Sequence, residues 1–313
     1  MTSQNNQEKL WKQLEQLQEK YDAMGQDLSS YLEGLLYSNS LNYWDYIHLD
    51  TLLSLQNTRT DFPDERIFIV YHQITELYFS LIQDEIKQIA HAKDLKAQEF
   101  LMRIKRCNRY LKHLISSFDI MSDGMDREQF MKFRMALLPA SGFQSVQYRE
   151  IEIRSTDLWN LVANEYRHRV DQEAGMLKMY EHLYWRQGAN ELATGKKTLT
   201  LRKFEEKYRD KLIELSEKMV GQNLWSIYKK LEKGMLENEL VQAMKEYDVN
   251  TNIGWSMAHM RAAARYLQND VAVISATGGT NWQSYLPPKF QRIIFFPDLW
   301  TEEEKAQWGR NFK

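Results

Sequence analysis

Apolar positions fall on helical spacing almost from the start of the chain. Leu10, Leu14, Leu17, Tyr21, Met24, Leu28, Tyr31 and Leu35 recur at alternating intervals of four and three, flanked by Gln, Glu and Lys. That spacing predicts one long helix, in which Gly25 and Gly34 each cost about 1 kcal/mol relative to Ala. The stripe serves either a core or a seam against another subunit, and its polar flanks suit the seam. Pro63 followed by Asp64-Glu65 suits a helix start. The helix it opens is apolar nearly all round, from Ile67, Phe68, Ile69, Val70 and Tyr71 to Phe79, Leu81 and Ile82, as expected at the centre of a bundle. A basic-faced helix over 98–118 and a turn at Ser122-Asp123-Gly124 follow. Asp126 with Gln129 three residues on reads as a capping box for the helix carrying Phe130, Phe133 and Arg134. Residues 141–152, 156–185, 201–219, 222–233 and 237–268 are helical in pattern, with a polar loop over 188–197. From Asn269 the pattern dissolves: Ala276-Thr277-Gly278-Gly279-Thr280-Asn281 is loop-like, and Pro287 and Pro288 introduce an irregular tail over 281–313. No repeat or linker divides the chain, so the expectation is a single all-α domain over 1–313, a helical bundle. Residues 1–40 form a helix that packs against another subunit.

Composition narrows this only slightly. The 313 residues include 13 Gly and 5 Pro, few enough to favour long helices over sandwiches or barrels. Lys and Arg number 41 against 43 Asp and Glu, and a net charge of −2 gives no sign of a nucleic-acid or membrane-surface partner. Cys107 is the sole cysteine, so no internal disulfide forms and a reducing compartment fits. The N-terminus lacks the basic and apolar regions of a signal peptide, and no uncharged apolar run approaches the roughly 18 residues of a membrane span. A cytoplasmic location is the expectation.

Common catalytic signatures are missing: no Gly-x-Ser-x-Gly, no phosphate-binding Gly loop, no Cys-x-x-Cys, no His-Glu-x-x-His. Three residues nevertheless sit in unusual company. His72 lies on the most apolar helix, one turn after Phe68 and one before Glu76. A core histidine bonded to backbone is the plain reading. An apolar wall with one hydrogen-bonding group is also what a flat aromatic ligand requires. Arg134 follows Phe130 by one turn amid Phe133, Met135, Ala136, Leu137 and Leu138. An arginine buried there needs a carboxylate partner, supplied either by Glu152 or by an amino-acid ligand. His259 stands one turn after Trp255 and is followed by Ala262-Ala263-Ala264, small residues that leave room for a bulky planar group.

Several segments in order resemble the tryptophan 2,3-dioxygenase family, haem enzymes that open the indole ring. They are Tyr43-x-x-Tyr46-Ile47-x-Leu49-Asp50; Phe68-Ile69-Val70-Tyr71-His72-Gln73-Ile74-Thr75-Glu76-Leu77; Phe133-Arg134 with Ala140-Ser141-Gly142-Phe143-Gln144-Ser145; Trp255-x-x-x-His259 with Arg265; and Thr277-Gly278-Gly279. The resemblance covers roughly residues 41–280. It implies a bundle enclosing a haem b pocket, with His259 as axial iron ligand and Ser141, Gly142 and Trp255 beside the cofactor. It further implies that Phe68 and Phe130 wall the substrate, Arg134 binds its carboxylate and Thr277 its ammonium, and that His72 accepts the indole N–H as the catalytic histidine. Tyr43 and Tyr46 would be inserted by a neighbouring subunit of a homo-oligomer, with a tetramer as the family expectation. The substrates would be L-tryptophan and O2, and the product N-formylkynurenine, as in the kynurenine pathway of tryptophan catabolism.

Three departures keep other readings open. Tyr78 stands where the family usually has Trp, the interval from His259 to Thr277 is about one helical turn longer, and Thr280-Asn281-Trp282-Gln283 does not follow the family's usual Ser/Gly-rich continuation after Gly279. A different oxygenation of a modified tryptophan, another indole or a phenol is one alternative. A non-catalytic haem-binding protein and a haem-free helical assembly are the others.

Overall fold

A computed structural model describes residues 2–37, 42–170, 175–190, 196–267 and 287–310. The chain forms two compact units, Met1–Leu55 and Gln56–Lys313. Among the described residues the structure is helical, with only isolated bridges pairing Val162 with Leu183 and Asn190 with Lys197. The all-α class expected from the spacing is what the chain adopts.

The first unit departs from the single helix that the heptad spacing predicts. Helix α1 spans Thr2–Ala23, and α2 spans Leu28–Tyr37. Between them Gly25 takes φ +66°, a left-handed conformation that costs glycine little and ends the helix. Asp27 then accepts bonds from the Ser29 and Ser30 backbone N–H groups and starts α2. The stripe therefore folds back on itself. The Tyr21 and Tyr31 rings meet edge to face at 4.7 Å, and Leu17, Leu28, Leu32 and Leu35 line the groove between the arms. Two short helices follow, α3 (Tyr43–Tyr46) and α4 (Leu49–Leu53).

The second unit is a bundle around α5 (Asp64–His91), which packs on α6 (Ala97–Ser117) and on α9 (Val146–Ser155). Near its start, Glu65 is buried and pins the preceding loop by accepting from the Arg59 and Thr60 backbones. Short α7 (Asp119–Ser122) leads to α8 (Arg127–Phe133). Asp126 caps α8 by accepting from the Gln129 N–H. The return half of the expected box goes elsewhere: Gln129 accepts from the Asp64 backbone, and Asp64 from that of Asp126, so the two helix starts are cross-linked. Behind them lie α12 (Leu199–Lys218), α13 (Leu224–Lys230) and α14 (Glu237–Val249). A π-helical turn, Asn250–Gly254, joins α14 to α15 (Trp255–Leu267).

Two expected spans are corrected. Residues 156–185 are not one helix; tight 3₁₀ turns at Leu158–Leu161 and Asn164–Tyr166 precede α10 (Met176–Glu181) and α11 (Tyr184–Gln187). Arg167, whose guanidinium bonds the Asn160 and Val162 carbonyls, satisfies backbone that a continuous helix would have paired internally. Nor is the described part of the expected irregular tail over 281–313, residues 287–310, without regular structure. Ile293, Phe295, Phe296 and Trp308 are buried in the core, and Thr301 caps Glu302–Ala306 with a full capping box.

Candidate active site

The second unit places His72 and His259 in one network of aromatic rings. On α5 the Phe68 and His72 rings meet tilted by 33° with centroids 4.1 Å apart, their spacing of four residues placing them on one face. Phe130 and Phe133, from α8, reach the Phe68 ring at 6.4 and 6.0 Å. On the other side Trp255 and His259, from α15, lie edge to face at 4.4 Å. Phe118 closes the ring of contacts, 4.6 Å from His259 and 5.6 Å from Tyr71, the neighbour of His72.

Both imidazoles are only half-buried, yet both are held below the ordinary histidine pKa, chiefly by desolvation. For His259 the value falls to about 4, with the charges of His72 and Arg149 acting in the same direction. Each ring is therefore neutral near pH 7. The tautomers follow from the bonds: His72 Nδ1 lies 2.7 Å from the Phe68 carbonyl, and His259 Nδ1 lies 3.0 Å from the Trp255 carbonyl. A carbonyl only accepts, so each Nδ1 carries the hydrogen and donates it, and each Nε2 presents a lone pair. A neutral imidazole fixed through Nδ1–H is the form that binds a metal. The Trp255 carbonyl thus orients His259, a partner that sequence alone did not reveal.

Arg134 begins the 3₁₀ turn Arg134–Leu137 that ends α8, and its backbone N–H donates to the Phe130 carbonyl. Its side chain is buried, Nη1 lies 3.8 Å from the Met131 sulfur, and burial lowers its pKa. Glu152 is not the acid that answers it. One Glu152 oxygen accepts from Arg149 Nη1 at 2.7 Å, and the other accepts from the Tyr184 hydroxyl.

The Ser141-to-Ser145 segment is a self-capped turn. Ser141 Oγ accepts from the Phe143 N–H, Gln144 reaches back to the Ser141 N–H, and the Gln144 amide also donates to the Thr200 carbonyl. Ser145 starts α9 by accepting from the Tyr148 N–H. This anchoring sets Gly142 beside His72: a methyl group at its Cα would lie 3.9 Å from His72 Nε2, an ordinary contact.

Sequence reading identified His72, His259, Phe68, Phe130, Arg134, Ser141, Gly142 and Trp255, and all of these lie in the second unit. Tyr43 and Tyr46 lie on α3 of the first unit, with both rings exposed. Thr277 lies outside the described residues. Phe118 went unread because an apolar residue closing an amphipathic helix carries no local signal. Arg149 went unread because its aromatic surroundings, Phe143, Tyr148, Tyr184 and Trp185, assemble only in the fold.

The family model for tryptophan 2,3-dioxygenase matches residues 33–254. The chain belongs to the tryptophan 2,3-dioxygenase family. This is a haem-dependent family of oxidoreductases. Curated relatives bearing that name include the Bordetella pertussis protein, 26% identical over 271 residues covering 84% of this chain and 90% of the relative. The Herpetosiphon aurantiacus protein is 28% identical over 277 residues, covering 84% and 98%. The Ruegeria protein is 37% identical over 117 residues, covering 37% and 42%. The matched range stops one residue before Trp255, so the reading of His259 stands on its geometry.

That geometry fits a haem. Among the described residues no group of three or more His, Cys, Asp and Glu side chains is placed to hold a metal ion. The neutral His259 Nε2 and the small Ala262-Ala263-Ala264 run one turn on suit a flat macrocycle. Among the described residues no helix is long and apolar enough to cross a membrane.

Proposed function

We propose that this chain is a haem-dependent dioxygenase that opens the indole ring of L-tryptophan to N-formylkynurenine. The observation that carries the reading is the pair of neutral histidines, each with Nδ1–H tied to a backbone carbonyl and Nε2 left as a lone pair. His259 would hold haem b through iron, and the cofactor supplies the dioxygen chemistry. His72 Nε2 accepts the indole N–H, fixing the ring's orientation. Phe68 and Phe130 wall the ring and exclude water. Arg134 binds the carboxylate through its planar fork, and its burial makes that charge-assisted pair strong. Ser141 and Gly142 border the cofactor with Trp255, and Thr277 grips the ammonium.

The first unit supports an oligomeric reading, a tetramer by family resemblance, in which Tyr43 and Tyr46 complete a neighbour's site. Their exposed rings are consistent with that use. Mixing Arg134→Leu chains with Tyr46→Ala chains at limiting L-tryptophan should raise turnover above that of either variant alone; no gain counts against shared sites.

The test of function is product mass after incubating the haem-loaded chain with L-tryptophan, a reductant and O2. Gain of two oxygens supports ring opening. Gain of one assigns the chain to a different oxygenation, the reading favoured by the longer interval before Thr277. Haem uptake without product would leave a haem-binding protein.

A further inference from the structure

The π turn Asn250–Gly254 separates α14 from the helix that carries His259. A π turn holds one residue more than an α turn, and one residue rotates everything downstream by about 100°. The direction in which His259 points is therefore set by whether this turn persists. Side chains from three elements hold it. The Tyr148 hydroxyl donates to the Thr251 carbonyl at 3.1 Å, Asn250 Nδ2 donates to Asn108 Oδ1 at 3.2 Å, and Thr251 Oγ1 donates to the Tyr247 carbonyl at 2.8 Å. Gly254 passes so close to α6 that an added Cβ would lie 2.6 Å from Ile115 Cδ1.

The strongest of these fastenings is Asp248, a carboxylate with no exposed surface in the last turn of α14. Its Oδ1 accepts from Asn252 Nδ2 at 2.7 Å and from the Phe295 backbone N–H at 3.0 Å. Its Oδ2 accepts from the Phe296 N–H at 3.2 Å and from Trp300 Nε1 at 3.0 Å. One carboxylate thus joins the inside of the π turn to the C-terminal segment. A buried charge persists only when its hydrogen-bonding capacity is met, so each donor matters to the others.

We propose that Asp248 is a positioning residue for His259, and that the C-terminal segment through Trp300 acts on the site by way of this carboxylate. The proposal rests on the reading of His259 as the haem ligand. Asp248 touches neither cofactor nor substrate; it fixes the turn from which the ligand's helix grows. The C-terminal segment is thereby part of the proximal side of the site.

The experiment uses the full-length chain and the variant Trp300→Phe, which keeps an aromatic ring and deletes a single donor. Lys305→Ala serves as the comparison, because it removes an ion pair of the same segment, that with Glu302, rather than a donor to the carboxylate. Hydrogen exchange in the haem-free protein should quicken across residues 250–259 in Trp300→Phe and not in Lys305→Ala. In the haem-loaded protein, transfer of haem to an excess of apomyoglobin should be about ten-fold faster in Trp300→Phe, the usual scale for loss of a supporting contact. The ferrous spectrum should shift with it. Unchanged exchange and haem release in Trp300→Phe would overturn the proposal, as would equal effects in both variants. A wild-type chain that takes up no haem would sink the functional reading instead, and the exchange measurement would still decide whether Asp248 governs the turn.

Discussion

His72 and His259 share one local device, a ring N–H donated to the carbonyl four residues earlier on the same helix. The device needs only the histidine and a helix, so the residues were legible in the sequence while their tautomers were not. Their neutrality has a consequence for stability. His259 is held at about 4 against an ordinary 6.5, so the stability it contributes is present above pH 6.5 and lost as pH falls through 4. The loss is at most about 3 kcal/mol. Asp248 runs the other way: raised from 3.8 to about 6 by burial, its contribution is present below pH 3.8 and lost as pH rises through 6. Because the windows overlap, a difference measurement isolates His259. Between pH 7 and pH 4 the haem-free wild type should lose about 3 kcal/mol relative to His259→Gln in urea unfolding. Parallel pH dependence in the two proteins would contradict the assignment. Arg134 makes a kinetic prediction. Replacing it with Leu removes a charge-assisted pair worth about 1.5–3 kcal/mol, so KM for L-tryptophan should rise roughly ten-fold or more. An unchanged KM would remove Arg134 from the site.

Among elements, the long helices α5, α6 and α12 were legible because their apolar spacing persists over several turns. Three departures show where spacing stops informing. The heptad stripe ran unbroken through Gly25, yet a positive φ there folds it into a hairpin. Residues 156–185 have helical apolar spacing, but Arg167 and the Val162–Leu183 bridge hold them in short turns. The 237–268 stretch read as one helix because a single extra residue barely disturbs periodicity, and the π turn is stabilised by contacts from α6, α9 and the C-terminal segment. Gly254 marks it. Gly254→Ala should destabilise the protein by about 1–3 kcal/mol, since Ile115 or the turn must move, and should weaken haem binding with it. Thermal unfolding with a haem titration checks both; a neutral effect on both would mean that α6 yields at no cost.

For the whole molecule, the bundle was foreseeable from few glycines and prolines and from a central helix apolar all round. The use of the C-terminal segment was not. Phe295 and Phe296 lie in a stretch with no period, and their burial depends on an acid, Asp248, many residues earlier. Pairings between distant segments that lack a periodic signal are what a single sequence conceals. The same holds for the aromatic network around His72 and His259, whose rings come from α5, the residue after α6, α8 and α15 and meet only in three dimensions. The account's central claim is that this network encloses a haem site with His259 on one side and His72 on the other. Haem titration of the wild type, His259→Gln and His72→Gln, followed by absorption with and without L-tryptophan, tests it most directly. The account predicts stoichiometric uptake by wild type and His72→Gln, loss of uptake by His259→Gln, and a tryptophan-induced spectral change that weakens in His72→Gln. Equal haem uptake and an identical spectrum in His259→Gln would contradict it.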